Sequence, residues 1–480
     1  MDTALFKTQP YQHQLEALNA CKDKREYALF MEMGCGKSKV VIDDFANLYR
    51  EKKINGVLII APKGVYDNWY SKEIPAHLPD DIDYNILKWS PAGTQKNKLN
   101  LERILMESNR LHIFVMNIEA LSTKKGTDFA VKFINNKQSM FIIDESTTIK
   151  NPSAKRTMNA VRLGKYAEYR RILTGSPVTK SPLDLFSQCM FLDPSLLGFS
   201  SYYAFRSRYA DLMEQSSGGR VFKVVKGYKN LEELNETLKT FSFRVLKKDC
   251  LDLPDKIYLR RTIEMTDEQK KVYRDIQKNA QAVLSEGKVT INHIITQIIR
   301  LHQIACGFVN TDEGLTKELK SNRLNELLEI LEEVDGKVII WANYRHDIKK
   351  IVQSLRERYG SYSVGEYHGD IEQAEREETL TRFQDMDDKM RFFVGNTQTG
   401  GYGITLTAAS TVIYYSNNYD LEKRLQSEDR AHRIGQKNNV TYIDIVCEKT
   451  VDEKIVRALR LKQSIAQTVL GEETWKDWLT

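Results

Sequence analysis

Cysteine is scarce in this chain, and what there is lies scattered. Six are present, at 21, 35, 189, 250, 306 and 447, and the closest two are 14 residues apart. No C-x-x-C pair exists, so zinc ribbons and disulfide scaffolds are set aside and buried free thiols are expected. Long apolar runs are missing too; none reaches the length that spans a bilayer. The first residues, MDTALFKTQPYQHQ, lack a charged-then-apolar leader pattern. An intracellular protein with no membrane partner is therefore expected. Neither a short-period repeat nor a low-complexity segment is found. Net charge is small, +6, and alone says little about nucleic acid.

The charge is unevenly placed. Between 121 and 171 stand eleven Lys or Arg against four acids, while 371–390 holds seven acids and three bases. A basic region can neutralise phosphates, though a solvated surface explains it equally well. The 480 residues, 41% apolar and 28% charged, suit a globular chain of about two to four domains. Short β-branched runs alternate with helical patterns, which argues for βαβ units and parallel sheets. Candidate strands in the first half are Val57–Ala61, His112–Met116, Phe141–Ile143 and Arg171–Leu173. In the second half they are Lys337–Ala342, Ser363–His368, Arg391–Val394, Thr411–Tyr415 and Val440–Val446. A helical stripe, Leu324, Leu327, Leu328 and Leu331, ends near Gly336. The expected class is α/β: a first lobe over 1–185, a mainly helical connecting region over 186–315, and a second lobe with a C-terminal helix over 316–480.

Gly34, Cys35, Gly36, Lys37 and Ser38 form G-x-G-K-S ahead of a helical run. Glycines let successive N–H groups face one anion, the helix N-terminus adds partial positive charge, and Lys37 adds a full one. Ser38 can place its hydroxyl on Mg²⁺. The stricter G-x-x-x-x-G-K-[ST] pattern wants glycine where Met31 stands. Downstream, Phe141-Ile142-Ile143-Asp144-Glu145 delivers two acids at a strand end. Asp144 suits a metal and Glu145 suits polarising a water. Such a pair is also common in exposed turns, and gains force beside the glycine loop. Leu173-Thr174-Gly175-Ser176-Pro177 suits a tight coupling loop or a plain turn. Pro10-Tyr11-Gln12 offers an amide that can pair with adenine. Gln398-Thr399-Gly400-Gly401-Tyr402-Gly403 follows another strand. In one helix, Gln426, Arg430 and Arg433 fall at i, i+4 and i+7, on one face. Arginines there are either solvated or an arginine finger, whose planar fork matches a transferring phosphoryl group.

In this order the motifs resemble helicase superfamily two, and more narrowly the Swi/Snf-type DNA translocases. The resemblance runs from about Pro10 to about Ile455. It rests further on Ala61-Pro62 with Asn68-Trp69, on Ile149-Lys150-Asn151, on Phe191-Leu192-Asp193-Pro194, and on Leu406-Thr407-Ala408-Ala409. Arg430-Ala431-His432-Arg433-Ile434-Gly435-Gln436 is its most specific signature. The resemblance implies two RecA-like lobes with ATP between them and double-stranded DNA as partner. It implies that Gln12 contacts adenine and that Lys37, Ser38, Asp144 and Glu145 serve ATP and Mg²⁺. Thr174 would couple, Gln426 and Gly403 would contact nucleotide, and Arg430 and Arg433 would be the finger pair. Lys63, Asn117, Asn343, Thr397, Gly400 and Gly401 would touch the DNA backbone. Two departures stand out. Thr147 replaces the usual histidine of the D-E-x-H box, and Lys180 and Ser181 replace asparagines.

The function expected is ATP-driven translocation on double-stranded DNA. A strand-separating or annealing helicase, on DNA or RNA, is the alternative, and a non-catalytic adaptor a weaker one. The short spacing between the Thr174 loop and Lys337 suggests a compact branch, targeted by a protein partner or by DNA structure. A cytoplasmic or nucleoid protein of bacterial or viral source is expected, with a nuclear one left open.

Overall fold

The computed structural model describes residues 6–470 apart from 64, 92–94, 107–108, 218–219, 286–290, 312–313 and 401–403. Two compact units emerge. The first comprises Met1–Met213, Val225–Asp252 and Ser464–Thr480, and the second Glu214–Val224 and Leu253–Gln463.

The strands, in chain order, are β1 (Glu26–Met31), β2 (Gly56–Ala61), β3 (Tyr84–Lys88), β4 (Leu111–Asn117), β5 (Ser139–Asp144) and β6 (Tyr169–Leu173). Then come β7 (Ala210–Ser217), β8 (Arg220–Tyr228), β9 (Ser242–Val245), β10 (Lys256–Ile263), β11 (Phe308–Asn310) and β12 (Thr316–Glu318). The last are β13 (Lys337–Trp341), β14 (Val364–Tyr367), β15 (Phe392–Gly395), β16 (Ala409–Tyr414) and β17 (Val440–Cys447). The first unit holds a sheet ordered β3-β4-β2-β5-β6-β1-β9, parallel throughout. The second holds a parallel sheet ordered β10-β17-β16-β13-β15-β14.

Why these residues make central strands is visible in their two-sided burial. Every residue of β2 and β5 is buried. Leu58 and Ile60 pack into one core while Val57, Ile59 and Ala61 pack into another. The same alternation in β13 sends Val338 and Ile340 one way and Ile339 and Trp341 the other. Helices thus cover both faces, which is why these strands read as unbroken apolar runs. The α/β class and all nine candidate strands are found. The leucine stripe is the helix Arg323–Glu333, with Leu327 and Leu331 buried.

Between 186 and 315 lie helices, among them Asp267–Ser285 and Ile291–Cys306. The same stretch carries β7 to β11, of which β9 extends the first sheet and β10 the second. The basic stretch is partly internal. Arg171 is buried and pairs with Asp44 at 2.9 Å, Arg170 pairs with Glu26, and Lys137 donates to the Met106 carbonyl.

Candidate active site

Parallel strands point their C-terminal ends to one edge, and the first sheet sets out its candidate residues there in strand order. Asn117 ends β4, Lys63 follows β2, Asp144 ends β5, Thr174 follows β6, and the glycine loop follows β1. The polar residues assigned to DNA therefore lie on the β4–β2 side, and those assigned to ATP on the β5–β6–β1 side. Lys63 is exposed, and Asn117 donates its amide to Glu119 at 2.8 Å.

The loop's curl is set by two left-handed glycines, Gly34 at φ 85° and Gly36 at φ 80°. Gly36 caps the helix Lys37–Arg50. A side chain there would also strike Gln14, since a Cβ would lie 2.0 Å from its amide nitrogen. Gly175 of the β6 loop also packs against this loop, with its would-be Cβ 2.9 Å from the Met33 nitrogen. Lys37 donates to the carbonyls of Met31, at 2.9 Å, and Glu32, at 3.4 Å. These are neutral acceptors, which an anion in the loop would outbid.

Asp144 is buried, and burial raises its pKa; the Trp69 hydrogen bond and the Lys37 charge oppose that shift. Trp69 Nε1 donates to Asp144 Oδ2 at 2.8 Å, and the Glu145 amide donates to Oδ1 at 2.9 Å. Glu145 has φ 49°, in the left-handed region that non-glycine residues rarely adopt. Such strain clusters at functional sites. Thr174 donates to Glu145 Oε2 at 3.4 Å, so the β6 loop reaches the acidic pair. Thr147 is buried in the turn Ser146–Ile149 that follows.

Gln12 does not reach the loop. Its side chain is exposed and donates to Glu16 at 2.9 Å. His13 and Gln14 do reach it: the His13 ring lies 2.9 Å and the Gln14 amide nitrogen 3.3 Å from the Cys35 carbonyl. Two positions along a helix turn a side chain by about 200°, so residues 12 and 14 lie on different faces.

In the second unit, the helix Leu421–Glu428 stops before the arginines. Gln426, Arg430 and Arg433 are thus not one helical face. Beyond it the ladder is broken: Arg430 Nε takes the Gln426 carbonyl at 2.8 Å, while the Arg430 amide bonds the Ser427 carbonyl at 3.3 Å instead. Both arginines nonetheless converge on one segment. Arg430 donates to the Ile404 carbonyl at 3.1 Å and Arg433 to the Thr405 hydroxyl at 2.9 Å. That segment directly follows Gly401 and Gly403, which lie outside the described residues. Gln426 is buried, and its side-chain Oε1 has no hydrogen-bond partner among the described residues. Asn343 and Asn396 meet at the ends of β13 and β15, where the Asn396 amide donates to the Asn343 carbonyl at 2.9 Å. Thr397 is buried, and Gly400 is buried against Trp341, whose ring would lie 2.4 Å from a Cβ. Packing alone requires glycine at 400.

Residues missed by motif reading are Trp69 as partner of Asp144, and Arg244, which donates to the Phe30 and Gly175 carbonyls at 2.9 Å each. The signal for Trp69 was its place in the Asn68-Trp69 motif. Arg244 carried none.

Residues 11–308 match the SNF2-related domain, and residues 319–435 match the helicase conserved C-terminal domain. The chain belongs to the SNF2-related family. Among the curated relatives of this SNF2-related chain is the yeast (Saccharomyces cerevisiae) ISWI chromatin-remodeling complex ATPase ISW2, 27% identical over 474 residues. The alignment covers 92% of this chain and 39% of that protein. The yeast transcription regulatory protein SNF2 is 25% identical over 468 residues, covering 92% of this chain and 26% of its own. The chain thus spans a quarter to two fifths of these relatives. A solved Sulfolobus solfataricus SWI2/SNF2 ATPase core in complex with dsDNA aligns over 100% of this chain and 97% of its own, at 24% identity and TM-score 0.43. Among the described residues no helix is long and apolar enough to cross a membrane.

Proposed function

We propose that this chain hydrolyses ATP and uses the cycle to translocate along double-stranded DNA. The observation that carries the proposal is the edge of the first sheet, where a left-handed glycine loop, a buried acidic pair and Thr174 stand on adjacent strands. The residues fit a magnesium nucleotide. Gly34 and Gly36 hold the left-handed backbone that lets successive N–H groups face one anion, and Asp144 is a buried carboxylate whose charge burial disfavours until a cation offsets it. Ser38 and Asp144 would hold Mg²⁺, which supplies charge neutralisation to the phosphates.

The chain's own groups do the rest. Lys37 leaves the Met31 and Glu32 carbonyls for the phosphates. Glu145 orients the attacking water, and Thr174 reports its state to the β6 loop through their hydrogen bond. Arg430 and Arg433 stabilise the charge that builds on the γ-phosphoryl. Gln14, whose amide lies against the loop, takes the adenine role for which Gln12 was the candidate. Lys63, Asn117 and Asn343 grip the DNA backbone, which implies little sequence preference and strong salt dependence.

Phosphate release across single-stranded, double-stranded and forked DNA and RNA tests this reading. Stimulation by double-stranded DNA is expected, and stimulation by RNA alone would overturn it. Glu145→Gln should bind ATP yet not turn it over. Triplex displacement without duplex unwinding separates translocation from strand separation.

A further inference from the structure

Two thiols meet beside the glycine loop. Cys35 sits within the loop and is 1% exposed. Cys250 ends the short helix Lys247–Cys250 and is half-buried. Its Sγ lies 3.7 Å from that of Cys35, and both residues belong to the first unit. The segment bearing Cys250 is fastened to the loop along its length. β9 pairs with β1, Arg244 bridges the Phe30 and Gly175 carbonyls, and the Lys247 amide donates to Glu32 at 2.8 Å. The sulfurs are therefore held together by two anchored backbones, not by chance contact of mobile side chains.

We propose that Cys35 and Cys250 are a modification site for peroxide-class oxidants: they form a reversible intramolecular disulfide that stops nucleotide turnover. The second half of this statement rests on the ATPase reading above. The Cys250 thiolate attacks a peroxide oxygen, the O–O bond breaks, and a sulfenic acid forms with loss of water. Cys35 then attacks that sulfur, the S–O bond breaks, and a second water leaves. Two thiols are oxidised by two electrons and one hydrogen peroxide is reduced to two waters. Burial raises both thiols, with the Lys37 charge opposing this at Cys35 and the Lys247 charge at Cys250. The reaction is accordingly slow at neutral pH and calls for excess oxidant.

A disulfide needs its sulfurs about 2.05 Å apart, so the pair must close by roughly 1.7 Å from 3.7 Å. Part of that movement falls on the loop backbone, whose Cys35 carbonyl is also held by His13 and Gln14. Displacing catalytic geometry by about 1 Å costs about 10²-fold in rate.

The test treats the full chain with excess hydrogen peroxide, alkylates remaining thiols, and maps peptides. A Cys35–Cys250 crosslinked peptide is expected, about 2 Da lighter than the two thiol peptides together. Turnover should fall about 10²-fold and return with dithiothreitol. Cys250→Ser and Cys250→Ala should keep their turnover under the same treatment. Absence of the crosslinked peptide, or equal loss of turnover in both variants, overturns the proposal. The crosslink is read by mass, independently of ATP. A crosslinked chain whose reduced form never hydrolysed ATP would uphold the thiol pair and overturn the ATPase reading, and the switch with it.

Discussion

Gly36 and Gln14 should behave as one unit, and a double-mutant cycle can show it. Gly36→Ala places a methyl on a residue at φ 80°, at a cost of about 1–2 kcal/mol. That methyl would lie 2.0 Å from Gln14 Nε2 and 3.1 Å from its Cδ. Gln14 must swing away, giving up its bond to the Cys35 carbonyl and the one its Oε1 accepts from the Tyr11 amide. Each is worth about 1 kcal/mol, so the total is about 3–4 kcal/mol. Gln14→Ala alone removes the same two bonds and should cost about 2 kcal/mol. In the double variant those bonds are already gone and the methyl meets no amide. Its cost should again be about 3–4 kcal/mol, short of the sum by about 2 kcal/mol. The readout is hydrogen exchange of the peptide covering β1, which reports local opening without assuming that the two units unfold together. Strict additivity would refute the reasoning, because it would mean that the methyl and the amide never compete. Measured alongside, Gln14→Ala should lower the preference for ATP over GTP while the exposed Gln12→Ala leaves it unchanged.

Arg433→Ala should cost about 10³-fold or more in ATP turnover if the side chain meets the γ-phosphoryl; a loss of only a few-fold would leave it as a brace for Thr405. Asp347 is pushed up to about 7 by burial, against the opposing charge of Arg323. A raised carboxylate disfavours the folded state once both forms ionise. Stability contributed by this group is therefore lost as pH rises from about 4 through 7, and Asp347→Asn should be more stable than the parent at pH 8 by at most about 4 kcal/mol, with no gain at pH 4. Thermal unfolding of both proteins across that range checks it. Arg323 is fully buried, pairs with Asp452, and donates to the Tyr415 and Ile445 carbonyls. Arg323→Met leaves the Asp452 charge buried and should destabilise the second unit by about 3–5 kcal/mol, seen as faster exchange in β16 and β17.

Most central strands were legible because two-sided burial leaves no room for polar residues; β1, which lies between β6 and β9 and leads into the glycine loop, was not among the candidates. A run such as Val57–Ala61 therefore has one reading. The phosphate loop and the acidic pair were legible for a different reason: their chemistry demands certain residue types at fixed spacing. Side-chain direction was not legible to the same degree. That Gln14 and not Gln12 lies against the loop depends on which face of the helix Gln12–Cys21 packs there, and only the packed helix decides that. The helix expected through the arginines differs for a related reason. Periodicity permits a helix through Arg433, but it stops at Glu428, where the Arg430 side chain takes the Gln426 carbonyl and the Arg430 amide bonds Ser427 instead.

Of the edge strands, β14 was legible but β9 and β10 were not. β10 lies at the edge of its sheet and mixes apolar and charged residues, with Ile257 and Leu259 exposed and Lys256, Tyr258 and Arg261 half-buried, so it shows no unbroken apolar run. Its charges are occupied rather than idle: Lys256 pairs with Glu428 at 3.4 Å, Arg260 with Glu453 at 3.0 Å, and Arg261 with Glu326 at 2.6 Å. β9 is only four residues long and mostly half-buried, yet it carries Arg244 and leads into Lys247 and Cys250. These two strands brace the glycine loop in the first unit and the helix before Arg430 in the second. Motif spacing identifies the groups that would touch ATP, whereas the braces that fix their geometry are ordinary ion pairs and amides with no required spacing. Substitutions in 242–261 should therefore alter turnover while every recognisable motif stays intact.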